Sequence, residues 1–65
     1  MSTWNPVISG VLHRAVESHE IPRKGEYVEF FDDKSYEVVG VVHYVSHRGE
    51  NGGLIGVPDV HLKPR

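Results

Sequence analysis

Beyond residue 22, alternating and β-branched apolar positions dominate the chain and fall into three successive strand-like blocks. The longest, Ser35 to Ser46, holds five valines and two tyrosines among its twelve residues, with Gly40 at its centre. Valine and tyrosine suit a pleated, half-buried surface, and a glycine inside such a block marks a bulge or sharp bend. The block before it, Glu26 to Phe31, alternates. Val28 and Phe30 are expected on one face, and Tyr27, Glu29 and Phe31 on the other. Asp32-Asp33-Lys34-Ser35 is a short polar connection, so these two blocks predict a β-hairpin. Asn51-Gly52 supplies both positive-φ positions of a type I′ turn and predicts a second hairpin. The last block, Leu54 to Leu62, is interrupted at Pro58-Asp59 before Val60 and Leu62 return to the core.

Residues 4–20 carry a different pattern. Val7, Ile8, Val11, Leu12, Ala15 and Val16 recur as adjacent pairs every four positions, which places them on one helical face. Asn5 before Pro6 fits a helix N-cap followed by proline at the first helical position. Against a helix, four of the six apolar residues are β-branched and Gly10 sits within the segment. The helix is the preferred reading and an extended first strand the alternative. Pro22 and Arg23-Lys24-Gly25 then form the break and turn into the first clear strand.

The chain is thus expected to be mainly β, or a small α+β fold. It should form one domain over 1–65, with an N-terminal helix or strand over 1–20 and a β-barrel portion over 21–65. The barrel portion is expected to be an SH3-like curled antiparallel sheet or small barrel of roughly three to five strands.

Two stretches carry a weaker likeness. Pro22-Arg23-Lys24-Gly25-Glu26-Tyr27-Val28, followed by Tyr36-Glu37-Val38-Val39-Gly40-Val41-Val42-His43, resembles short, largely uncharacterised bacterial and phage proteins. These share a Pro-Arg-x-Gly-Glu-x-Val start and a Tyr-x-Val strand. The resemblance spans 22–43 and rests on structural residues. It implies the small barrel and a bacterial or mobile-element origin, and it brings no active site with it.

Composition narrows the function classes. A 65-residue chain buries only about 60% of its unfolded surface, so its stability is marginal without help. There is no cysteine, which removes disulfides and cysteine-based zinc sites and fits a reducing, cytoplasmic setting. Self-association into a homo-oligomer is the remaining source of extra burial. The formal net charge of −2 lacks the basic footprint of a nucleic-acid binder. Acids concentrate in one place, with Glu26, Glu29, Asp32, Asp33 and Glu37 facing Lys34 alone within 26–37. No apolar run approaches the ~20 residues of a membrane span. No secretory signal pattern stands at the N-terminus, and Met1 to Arg65 reads as a complete small gene product.

The chemistry-bearing residues do not assemble into a motif. His43 and His47 are four apart, which chelates on a helix, but on a strand the same spacing separates them by roughly 13 Å. His13 and His19 diverge by ~240° on a helix. A site built from distant histidines, such as His43 with His61, is geometrically open. Asp32-Asp33 reads as a turn rather than an acid–base or calcium pair. Ser46 and His47 point to opposite strand faces, and the glycine-rich 49–56 stretch lacks a phosphate-binding Gly-Lys-Ser/Thr. No catalytic, cofactor or metal residues are therefore assigned.

The expected function is a non-enzymatic protein-binding module, a small adaptor or inhibitor, with Tyr27, Glu29, Phe31 and Tyr44 as candidate partner-binding residues. Two alternatives stand beside it. One is a small-barrel nucleic-acid binder using Arg23, Lys24, Arg48, Lys63 and Arg65 with aromatic stacking. The other is a structural subunit of a larger assembly.

Overall fold

The computed structural model describes residues 1–30, 32–46, 53–54 and 56–65. Eight strands follow one another: β1 (Ser2–Ile8), β2 (Val11–Leu12), β3 (Val16–Ser18), β4 (Tyr27–Glu29), β5 (Ser35–Val42), β6 (Val45–Ser46), β7 (Gly53–Leu54) and β8 (Asp59–Pro64). Six of them make one mixed sheet in the order β2-β1-β8-β5-β4, with β3 also paired to β1. β6 and β7 form a separate two-stranded ribbon.

The helix preferred from the sequence is absent among the described residues, and the first-strand alternative holds. Ile8 and Val11 are paired, so Ser9 and Gly10 are the two central residues of a hairpin. Their φ values of 51° and 80° are the positive pair that a type I′ turn requires. The apolar spacing that mimics a helix is therefore a β-hairpin folded back at Ser9-Gly10. Its β-branched residues fit that conformation better than a helix.

Pro6 explains why the second arm of this hairpin is broken into β2 and β3. The Pro6 carbonyl accepts from the His13 N–H at 2.9 Å, so its nitrogen faces the same side and has no hydrogen to offer. Pairing runs Val7↔Leu12 on one side of this point and Trp4↔Val16 on the other. The returning arm thus carries one extra residue opposite the proline, a bulge placed where the ladder lacks a donor.

β1 runs parallel to β8 through Asn5↔Asp59 to Ile8↔Leu62, and β8 runs antiparallel to β5. An entirely antiparallel sheet is thereby corrected: the first and last strands lie side by side in the same direction. β8 itself begins at Asp59, so the interruption in the last block falls just before Asp59 rather than through it.

The predicted hairpin of 26–31 with 35–46 is present as β4 and β5. Its connection is closed by Lys34 N–H donating to Asp32 Oδ1 at 3.2 Å, with Asp33 at φ 67°. The second hairpin is also present as β6 and β7, while its Asn51-Gly52 turn lies outside the described residues.

The core gathers residues from several strands of the sheet. Trp4, Val38, Val60 and Leu62 are buried in it, with Ile8, Val16, Ile21, Val28, Phe30, Tyr36 and Val41 packed around them. Trp4 Nε1–H donates to Ser18 Oγ at 2.8 Å, which satisfies the indole while its ring fills the centre. Phe30 and Tyr36 meet edge to face, with ring centroids 5.6 Å apart.

The sheet is not closed into a barrel. β4 ends one side of the sheet and β2 with β3 end the other, and among the described residues no ladder joins them. A cleft of about 310 Å³ lies at that seam, between His13, Arg14 and Val16 on one side and Phe30, Asp32 and Lys34 on the other. No helix of the described residues is long and apolar enough to cross a membrane.

Candidate functional site

The site is built around a strand edge that loses its neighbour. Arg23, Lys24, Gly25 and Glu26 make a β-turn closed by Glu26 N–H donating to the Arg23 carbonyl at 3.0 Å. Gly25 has φ 92°, the positive value that a type II turn needs at its third position. Glu26 Oε1 also accepts from the Arg23 N–H at 2.5 Å. These contacts account for the Pro-Arg-x-Gly-Glu pattern as turn chemistry.

The turn sets where β5 is covered. β4 pairs with 35–37, and the ladder extends one residue further as Gly25 N–H donates to the Val38 carbonyl and Val38 N–H donates to the Glu26 carbonyl, both at 2.9 Å. Past Val38 the turn carries the chain away. At the same point β5 changes register against β8, with a bulge between Val38 and Gly40. Gly40, Val41 and Val42 are thus paired to β8 on one side, Val39 is the bulged residue, and among the described residues 39–42 have no ladder partner on the other side, which leaves an open edge.

A groove of about 670 Å³ occupies the vacated lane. Ile21, Pro22, Arg23 and Lys24 form one wall, and Val39, Gly40, Val41 and His43 form the other. Val39 and Val42 stand 45% and 40% exposed, which is high for valine in a strand and leaves apolar surface along the edge. Among the described residues its lining carries Arg23, Lys24 and His43 against Glu20 as the sole carboxylate.

Gly40 has an unexpected place in this arrangement. The bulge anticipated from a mid-strand glycine is present, but Gly40 is not among the positive-φ residues. A Cβ added there would meet no atom within 4 Å. The backbone does not require glycine here, and its lack of a side chain leaves the β5 wall of the groove bare.

Of the candidate partner-binding residues, Tyr27 and Glu29 do not share a surface with Tyr44. Tyr27 and Glu29 are exposed, on the face opposite the half-buried Val28 and Phe30 that pack toward the core. The Tyr27 ring lies under the Arg65 guanidinium, 4.1 Å from its centroid. Phe31 lies outside the described residues. Tyr44 is 45% exposed just beyond the far end of β5, so it sits near the open edge and away from Tyr27.

Tyr44 is held by a polar cluster that ties three chain segments together. Its hydroxyl donates to Asp59 Oδ2 at 2.5 Å, and Asn5 Nδ2 donates to Asp59 Oδ1 at 3.1 Å. The Tyr44 hydroxyl, then the Asn5 amide and the charge of His61, hold the Asp59 carboxyl below its ordinary value despite partial burial. The same hydrogen bond to Asp59, with burial and the carboxylate charge, pushes the Tyr44 phenol up. Among the described residues no group of three His, Cys, Asp or Glu side chains is placed to hold a metal ion.

Sequence reading names Arg23 and Lys24 as part of a turn and, among functional readings, as parts of a nucleic-acid groove, and it does not single out Ile21, Pro22, Val39 or Gly40 as site residues. The one local signal was Gly40, read as a bend. An edge becomes visible only when the lane beside each strand is known. No protein family, curated protein or solved structure matches this chain.

Proposed function

We propose that the chain is a non-enzymatic protein-binding module, a small adaptor or inhibitor of bacterial or phage origin acting in the cytoplasm. It presents its partner site on an SH3-like curled sheet. The observation that carries this reading is the open edge of β5 over 39–42, flanked by a groove and by exposed Val39 and Val42. An unpaired strand edge offers a row of N–H and C=O groups to an extended segment of another chain. Alternate side chains of that segment can then find the apolar surface beside it. Tyr44, near the end of the same edge, is the candidate residue from the sequence best placed to extend the contact.

Lysine at an exposed edge position blocks strand addition without disturbing a core. Tagged wild-type protein should capture a partner from host lysate, and Val39→Lys and Val42→Lys should lose it while keeping the wild-type Tm. Equal capture by the folded variants would remove the edge from the function. A salt-sensitive gel shift of single-stranded nucleic acid, with no protein captured, would replace the reading by the nucleic-acid alternative.

A further inference from the structure

We infer that the segment received along β5 is acidic: an extended peptide of a partner protein that alternates carboxylate and apolar side chains. This inference rests on the protein-binding reading above and specifies its ligand. Three observations point to that occupant. The open edge of β5 covers residues 39–42, a span of roughly 13 Å that matches four residues of an added strand. The groove beside it, about 670 Å³, falls within the size range of ligand clefts and is walled on its far side by Arg23 and Lys24. His43 also lines it, and Glu20 is the single acid among the described lining residues. Glu26, in the same turn, directs its carboxylate oxygen to the Arg23 backbone N–H.

In a strand added to β5, successive side chains alternate between the two faces. One set would lie over the apolar surface left by Val39 and the bare Gly40. The other set would approach the wall that bears Arg23 and Lys24. Main-chain hydrogen bonds give such a complex its affinity, and the charged wall sets its choice among sequences. A basic strand would meet like charge in this groove and be rejected.

The test uses the full chain, labelled with nitrogen-15, and three synthetic octapeptides that alternate valine with glutamate, with serine or with lysine. The glutamate peptide should shift the amide signals of 39–42 and 20–24 and bind at least tenfold more tightly than the lysine peptide. Reversing the wall with Arg23→Glu and Lys24→Glu should invert that order, and Gly40→Leu should weaken the glutamate peptide by a similar factor with the spectrum otherwise intact. Equal binding of all three peptides at 39–42 would overturn the acidic ligand and leave the docking edge standing. Binding of no peptide at 39–42 would overturn both, as would shifts confined to the exposed face around Tyr27. Concentration-dependent shifts of 39–42 in the protein alone would assign the edge to a second copy of this chain and overturn the acidic peptide.

Discussion

Ser9 holds the left-handed position of the first hairpin, at φ 51°, and serine is not the residue that conformation favours. Asparagine tolerates positive φ far better, and Asn-Gly is the preferred type I′ pair. Ser9→Asn should therefore stabilise the protein by about 0.5 kcal/mol, whereas Ser9→Val should destabilise it by about 1–2 kcal/mol, both read from urea unfolding. Trp4 is buried at the core centre and is the chain's single tryptophan, so its fluorescence reports the core directly. Trp4→Phe removes ring volume and the bond to Ser18, and should cost about 1–3 kcal/mol in the same measurement. Neither role is legible locally. A serine before a glycine and a tryptophan near a terminus look ordinary until their pairing is known.

At the scale of elements, the polar cluster of Tyr44, Asp59 and Asn5 fastens the end of β5 to β8 and β1. Its pH dependence has two sides. The Asp59 carboxyl is held low in the fold, so its contribution is present above the ordinary carboxylate range and is lost as pH falls through the lowered value. The Tyr44 phenol is held high, so its contribution is full below the ordinary value of 10.0 and is lost as pH rises through the raised one. Asp59→Asn should flatten the acid limb of thermal stability. It should also return one of the three tyrosines to ordinary titration in ultraviolet absorbance. The hairpins themselves were legible, because each is specified by a few neighbouring residues: Asp32 and Asp33 for one, the polar run around Asn51-Gly52 for the other. The N-terminal hairpin reads as a helix in sequence because two apolar pairs on either side of a two-residue turn have the same spacing as a helical face. Pro6 strengthens that reading, since proline after asparagine is a helix-start signal as well as a bulge maker.

The whole molecule depends on β8, which lies between β1 and β5 and contributes Val60 and Leu62 to the core. A chain ending at Asp59 should therefore be unfolded, shown by collapsed amide dispersion, although it loses only the final six residues of the sequence. Parallel pairing of β1 with β8 leaves no turn signal in the sequence, because a parallel pair needs a long connection, here most of the chain. The open edge of β5 was illegible for the same reason, since it is defined by where β4 ends. That parallel pair also gives the protein a mechanical character. Pulled at Ser2 and Pro64, adjacent strands running in the same direction slide past one another, and the bonds spanning Asn5↔Asp59 to Ile8↔Leu62 share the load together. Pulled instead at Ser2 and Ser18, the paired open ends of the first hairpin, the strands would peel apart one rung at a time. An optical trap should record a markedly higher rupture force along the first axis, making the junction of the two outermost strands in sequence the clamp that resists extension.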